Sequence, residues 1–261
     1  MKKKNCIFVI LSMLFVMLFS INVCAAGDGD YSWYCVHVKN NRQPSSDPQF
    51  DFIKEYDGYY IDNNHGDDNA EKVIYLTFDA GYENGNIEKI LDVLKRQNVP
   101  SAFFVLGNLI KTEPDLVTRM FDEGHLVCNH TYSHKTMVNK SAEEFKNELA
   151  ALEKACCETI GRDLDKYYRP PEGRFDKASL NYAKEMGYKT VFWSFAYADW
   201  DNNKQMSAES AKKKILDNVH NGEVMLLHPT SATNAQILDD VIVTLKGQGY
   251  RFGTLDELCG R

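Results

Sequence analysis

Six residues of this 261-residue chain have types and spacings that could do chemistry: Asp79, His130, His134, Arg169, Asp199 and His228. Asp79 ends the apolar, β-branched run Val73 to Phe78 and is followed by Ala80 and Gly81. An acid placed where a buried strand stops can serve as a base, and it can equally cap the next helix or order a loop. His130 and His134 stand four apart. On a helical turn that spacing puts both imidazoles on one face, close enough to share a metal ion, although two exposed histidines show the same spacing. Tyr168 to Gly173 form a rigid turn, because Pro170 and Pro171 fix φ and Gly173 admits conformations other residues avoid; such rigidity suits a backbone N–H that must be aimed. Arg169 can make a forked ion pair with a carboxylate such as Asp79, in a site or merely in the scaffold. His228 follows the buried run Glu223 to Leu227, where a packed core histidine is the usual reading. A carboxylate partner such as Asp199 would instead hold it in one tautomer and raise its basicity, as a proton donor needs.

These residues require elements to gather them. Seven short apolar runs alternate with helical patterns: Val73 to Phe78, Ser101 to Val105, His125 to Cys128, Tyr167 to Arg169, Lys189 to Ser194, Glu223 to Leu227 and Tyr250 to Phe252. Ser141 and Glu144 form a capping box ahead of a helix with Phe145, Leu149, Leu152 and Cys156 on one face, and Asp176 caps a helix ending at Met186-Gly187. Regular alternation predicts an α/β protein with parallel strands inside and helices outside. Seven units predict a closed or nearly closed barrel, with a doubly wound open sheet as the alternative. The chemical residues all fall at or just after the C-terminal ends of their runs, the rim where loops from different strands meet around one substrate.

A net charge of -7 and a pI near 5.5 argue against a nucleic-acid partner held through phosphates. Residues 1–26 read as a leader: Lys2 to Lys4, an apolar run from Cys6 to Val23, then small residues fit for cleavage. This predicts export, with the segment acting as a signal peptide or, being long enough to span a bilayer, as an anchor. Cys35, Cys128, Cys156, Cys157 and Cys259 remain beyond it, an odd number without paired spacing, and adjacent cysteines on a helix point apart. Residues 27–70 are rich in Asn, Asp, Gly, Pro and Ser yet carry Trp33, Phe50, Phe52 and Ile53, which predicts an N-terminal extension packed on the domain of residues 71–261.

Thr77-Phe-Asp-Ala-Gly81, His130-x-x-x-His134, Arg169-Pro-Pro-Glu-Gly173, Asp199-Trp200 and Leu226-Leu-His228 stand in the order and roughly the spacing of five motifs of one family. In these the chain resembles the polysaccharide deacetylases, the NodB-homology or family 4 carbohydrate esterases. Gly81-Tyr-Glu-Asn-Gly85, the aromatic extension and Phe192-Trp-Ser194 are most similar to the delta-lactam-biosynthetic de-N-acetylases, which act on muramic acid residues of spore-cortex peptidoglycan. The resemblance implies a distorted (β/α)7 barrel that hydrolyses the N-acetyl group of N-acetylmuramic acid in a peptidoglycan strand; the alternatives are N-acetylglucosamine in peptidoglycan or chitin-like glycans as substrate, or a weakly catalytic glycan-binding protein. Carried over by position, it implies Asp79 as general base oriented by Arg169, and His228 as general acid oriented by Asp199. His130 and His134 would be metal ligands, Trp200 and Leu226 would line the acetyl pocket, and the Glu172 N–H would face the oxyanion. A free lactyl carboxylate asks for a cation, for which Arg174 is the expected residue. The family commonly has a second acid, a metal ligand, where this chain has Ala80, so the divalent ion, zinc or similar, is expected to bind weakly. A monomer, touching a membrane only through residues 1–26, completes the expectation.

Overall fold

A computed structural model describes residues 29–261; the leader expected over residues 1–26, with Cys6 and Cys24, lies outside the described residues. The seven expected strands are β1 (Lys72–Ala80), β2 (Ala102–Val105), β3 (Leu126–Asn129), β4 (Asp165–Tyr168), β5 (Lys189–Val191), β6 (Glu223–Leu227) and β7 (Tyr250–Phe252). Around them lie α1 (Ile87–Gln97), α2 (Gly107–Thr112), α3 (Pro114–Asp122), α4 (Ala142–Ile160), α5 (Lys177–Glu185), α6 (Ala208–Asn218), α7 (Ala232–Gly247) and α8 (Leu255–Leu258). All the pairings among β1 to β7 are parallel. The chain is a distorted (β/α)7 barrel, and the distortion has two sources. β7 does not separate β6 from β1: it pairs with Lys72 to Ile74 at the start of β1, while β6 pairs directly with Ile74 to Phe78. Between β5 and β6 the ladder is broken, and the wall is completed by a Phe195–Met225 bridge and by the extension, whose Gly58–Tyr59 pairs with β5 and whose Ile61 bridges to Glu223.

β5 stops at Val191 rather than Ser194, and no helix follows until Ala208. The reason is local: Ser194 and Phe195 both donate their N–H to Val224 O, which bends the chain out of strand geometry and frees the following loop to reach the rim.

The pleat of β1 explains why Asp79 faces inward. Alternate residues of a strand point to opposite faces. Val73 and Tyr75 join Phe104, Cys128 and Tyr167 in the barrel interior, whose base α8 plugs with Leu255 and Leu258. Ile74, Leu76, Phe78 and Ala80 pack in the outer layer against α1 and α7 residues such as Ile90, Leu94 and Ile242. Thr77 and Asp79 therefore continue the inner face toward the mouth, and Ala80 is directed away from it.

The capping box expected at Ser141 with Glu144 is present, and the cap expected at Asp176 is a capping box as well, with Ser179 as the reciprocal partner. Cys156 is buried and Cys157 exposed, so the adjacent thiols do point apart. In the extension, Trp33, Phe50 and Ile53 are buried with Phe175, Leu180 and Phe192; Trp33 stacks on Phe192 with ring centroids 4.6 Å apart, and Tyr31–Ser32 pairs antiparallel with Arg174–Phe175.

Candidate active site

At the C-terminal mouth of the barrel lies a cavity of about 830 Å³ whose lining includes Asp79, His130, His134, Glu172, Trp200, Leu226 and His228. The walls between these groups are largely aromatic and aliphatic, from Tyr82, Leu106, Trp193 and Tyr197.

Arg169 organises the floor. Its side chain is fully buried, and every arm is spoken for: Nε donates to Val191 O at 2.9 Å, Nη1 to Asp79 Oδ1 at 2.8 Å, and Nη2 to Thr77 Oγ1 and Phe192 O at 3.0 and 3.1 Å. The guanidinium also lies over the Phe104 ring, 4.1 Å from its centroid. The forked pair expected with Asp79 is thus a single bond, because the second arm serves the backbone after β5 and the Thr77 hydroxyl. That division leaves Asp79 Oδ2 toward the cavity, 3.5 Å from His130 Nε2. Burial by itself would raise the Asp79 carboxyl, but the charge of Arg169, helped by His228, outweighs it and holds the group below its ordinary value.

His130 and His134 do not lie on a helical turn. Thr131 and His134 adopt left-handed backbone, with φ of 70° and 57°, and the segment is an irregular loop. It is knitted from side chains: Asn129 Oδ1 accepts the Thr131 N–H, Thr131 Oγ1 accepts the His134 N–H, and Glu148 of α4 accepts the Ser133 N–H. The rings nevertheless come together, 5.0 Å between centroids at 67°. His130 Nδ1 lies 2.8 Å from Arg169 O; a carbonyl only accepts, so Nδ1 carries the proton and Nε2 presents its lone pair. Burial pushes this imidazole down to about 4, which keeps it neutral. A neutral imidazole whose far nitrogen donates to a carbonyl is the form that binds a divalent metal. The pair fits such an ion in two of its donors. Among the described residues no third His, Cys, Asp or Glu completes a cluster, and Ala80 has its methyl in the outer layer.

On the opposite wall, His228 Nδ1 lies 2.7 Å from Asp199 Oδ1, while the His228 N–H donates to Asp199 Oδ2 at 2.8 Å. Asp199 is buried and His228 partly open to the cavity. Burial works against the imidazolium, but the Asp199 carboxylate, helped by Asp79, wins and raises His228 above its ordinary value.

Glu172 has left-handed backbone at φ 58°, and Gly173 follows at φ 65°, where a Cβ would meet the Trp193 ring at 2.7 Å. The turn is rigid for steric reasons beyond its prolines. Arg174 is not brought to the cavity: it pairs antiparallel with Ser32, and its guanidinium is held by Asp30 of the extension. No Lys or Arg is among the cavity-lining residues described. Two contributors were not anticipated. Thr77, the first residue of the Thr77-to-Gly81 motif, is an acceptor for Arg169 and a donor to Met225 O at 2.8 Å. Asn234 of α7 donates to Asp199 Oδ2 at 2.6 Å. Its signal is a buried polar residue on the same helical face as Ile237, Leu238 and Val241.

A family profile described as polysaccharide deacetylase matches residues 66–191. The chain is 40% identical over 228 residues, 87% of its length and 85% of the relative's, to the peptidoglycan-N-acetylmuramic acid deacetylase PdaA of Bacillus subtilis. It is 35% identical over 189 residues, 71% of its length and 67% of the relative's, to a peptidoglycan-N-acetylglucosamine deacetylase of Bacillus cereus. The solved structure of Bacillus subtilis PdaA, a family 4 carbohydrate esterase, superposes with a TM-score of 0.82 at 39% identity, covering 88% of this chain and 96% of that one. With that fold and these matches over most of its length, the chain belongs to the polysaccharide deacetylases, family 4 carbohydrate esterases that hydrolyse an amide C–N bond to remove an acetyl group.

Proposed function

We propose that this protein removes the N-acetyl group of N-acetylmuramic acid in peptidoglycan strands whose side peptides are already gone, as in muramic delta-lactam formation in a spore cortex. The observation that carries the chemistry is the separation of two carboxylate environments around one cavity. Asp79 is held by Arg169 below its ordinary value and stays a base; Asp199 raises His228 above its ordinary value and keeps it an acid. Titratable groups pushed apart in this way divide base and acid roles at neutral pH. The sugar is supported by the likeness to PdaA over most of the chain.

His130 and His134 would hold a divalent ion, whose chemistry when bound is Lewis acidity toward water and toward the amide carbonyl. Asp79 Oδ2, left free by the single bond to Arg169, takes the proton of the attacking water as its oxygen joins the acetyl carbon. The N–H of Glu172, on its rigid turn, faces the oxyanion that forms. As the C–N bond breaks, His228 delivers its Nε2 proton to the departing nitrogen, and Asp199 supports the imidazolium until then. Acetate and a free amine result. Leu226 and Trp200 wall the acetyl group.

A second reading, deacetylation of N-acetylglucosamine, is favoured by one specific observation: the cavity lining offers Glu172 and no Lys or Arg to a lactyl carboxylate. Mass analysis of glycan after incubation with the protein separates the two. Peptide-free strands should lose acetyl from muramic residues faster than intact peptidoglycan or chitin oligomers do; preference for chitin oligomers overturns the muramic reading. We further propose that residues 1–26 export the chain or anchor it, that residues 27–70 form an extension of the domain at 71–261, and that the protein acts outside the cytoplasm as a monomer.

A further inference from the structure

What aims His228 lies one layer behind the cavity. Asp199 accepts three hydrogen bonds: His228 Nδ1 on Oδ1, and both the His228 N–H and the Asn234 amide on Oδ2. Asn234 is 1% exposed in the first turn of α7, where its N–H donates to Ser231 Oγ at 3.1 Å. All of its side-chain polar atoms are engaged. The amide donates to Asp199 Oδ2 at 2.6 Å and to His228 O at 3.2 Å, and its Oδ1 accepts the hydroxyl of Tyr197, a residue of the cavity wall. A carboxylate and a carbonyl can only accept, which fixes the amide nitrogen toward both. Burial raises the Tyr197 phenol above its ordinary value, so it keeps its proton and donates.

We propose that Asn234 is the positioning residue of the proton donor, fixing the plane of Asp199 against His228 and tying that plane through Tyr197 to the wall that holds the substrate. The inference rests on reading His228 as the donor. With Asn234 and the His228 N–H both on Oδ2, rotation of the carboxylate would break two hydrogen bonds, so Oδ1 stays opposite Nδ1 and the mobile proton stays on Nε2, facing the cavity. Other groups act on the pair from the remaining sides. Asp79 favours the imidazolium and Arg169 opposes it, while Gln205 donates to the backbone O of Asp199 at 2.8 Å. None of these touches both Asp199 and His228 from outside the cavity as Asn234 does.

Asn234→Asp preserves shape but replaces the donor with an acceptor. Two carboxylates are then in contact, sharing one proton, and a second negative charge appears beside His228 when that proton leaves. The full chain, labelled with 15N at histidine, should show the His228 imidazole titrating about one pH unit higher, with kcat lowered about 10- to 100-fold and KM kept. A residue that merely packs would lower stability and leave the titration where it was. An unchanged His228 midpoint in folded Asn234→Asp overturns the proposal. That readout needs no substrate, so failure of the glycan reading would leave it standing. If Asn234→Asp does not fold, Tyr197→Phe decides: loss of its hydroxyl should lower kcat about 2- to 10-fold and move the alkaline limb of the pH profile. An unchanged limb and kcat overturn the proposal equally.

Discussion

At each end of strand β6 a histidine meets an acid, and the two pairs have opposite characters. After the strand, at the mouth, His228 faces Asp199; before it, at the base, His220 Nδ1 approaches Glu223 Oε2 at 3.2 Å. Both carboxylates are buried, so burial does not distinguish them. Donors do. Asp199 receives three N–H groups, whereas Glu223 Oε2 receives the His220 N–H at 3.0 Å and Oε1 has no partner. Burial therefore pushes Glu223 well above the carboxylate range and His220 down to about 4. Despite its distance, the base pair is a neutral acid beside a neutral imidazole, whose Nδ1–H goes to Asn218 O at 3.1 Å and whose Nε2 accepts Ser194 Oγ–H at 2.8 Å. A neighbouring imidazole and one N–H donor leave Glu223 pushed up by burial, while the acid with three directed donors stands beside a histidine whose affinity for its proton is raised.

The largest expected effect breaks this comparison if it fails. His228→Ala and Asp79→Asn should each lower turnover about 10²- to 10⁴-fold with circular dichroism unchanged. His220→Ala should instead leave turnover of the folded protein close to the natural value. It should cost about 1 to 3 kcal/mol in denaturant unfolding, since Ser194 Oγ and Asn218 O lose their partner in the interior. If His220→Ala depresses turnover as deeply as His228→Ala, the two ends are not chemically distinct.

A third histidine sharpens the point. His130 resembles His220: each is pushed to about 4 by burial, and each gives its Nδ1–H to a carbonyl. They differ in where Nε2 points, into the cavity beside a second imidazole or into a buried serine. In calorimetric titration with zinc, His134→Ala should weaken binding at least about 10-fold, and His220→Ala should not change it. Because the described residues bring only two imidazoles together, the natural affinity should itself lie at least about 10-fold below that of a site with a third protein ligand. Binding that survives His134→Ala undiminished would place the ion elsewhere.

The positions of Asp79 and His228 were legible because each ends an apolar run of strand length, and a run of that kind fixes where the mouth of a barrel must be. The caps at Ser141 and Asp176 were legible because capping depends on residues three apart. Contacts between distant segments were not. Arg169 divides its arms among Thr77, Asp79, Val191 and Phe192, a choice made by the bend after β5. The place of Arg174 beside the turn predicts a cation facing substrate, yet pairing with the extension turns it to Asp30. The histidine loop reaches its ring contact through left-handed residues and the side chains of Asn129, Thr131 and Glu148, so four-residue spacing gave the right neighbours on the wrong backbone. Ser194 joins His220 and Glu223 from a stretch of barrel wall 26 residues away, and nothing in that spacing announces the network they form.

The smallest effect tests the base pair itself. Glu223 titrates above its ordinary value of 4.5 in the folded protein, so the folded state keeps a proton that the unfolded chain releases. Its contribution favours folding below that ordinary value and is lost as pH rises toward the folded one. His220, lowered from 6.5 to about 4, slopes the other way: its contribution is present above 6.5 and is lost as pH falls toward 4. Glu223→Gln is neutral at every pH and removes the first slope while leaving the second. Its amide keeps the shape of the protonated acid and meets the same unpartnered surroundings at Oε1. Melting at pH 8 should therefore occur above the natural protein, by about 2–4 °C for each kcal/mol recovered, while at pH 4 the two should melt together. A Glu223→Gln protein that melts lower at pH 8 would mean that Glu223 is ionised in the fold, and that the donors on Asp199 are not what separates one end of β6 from the other.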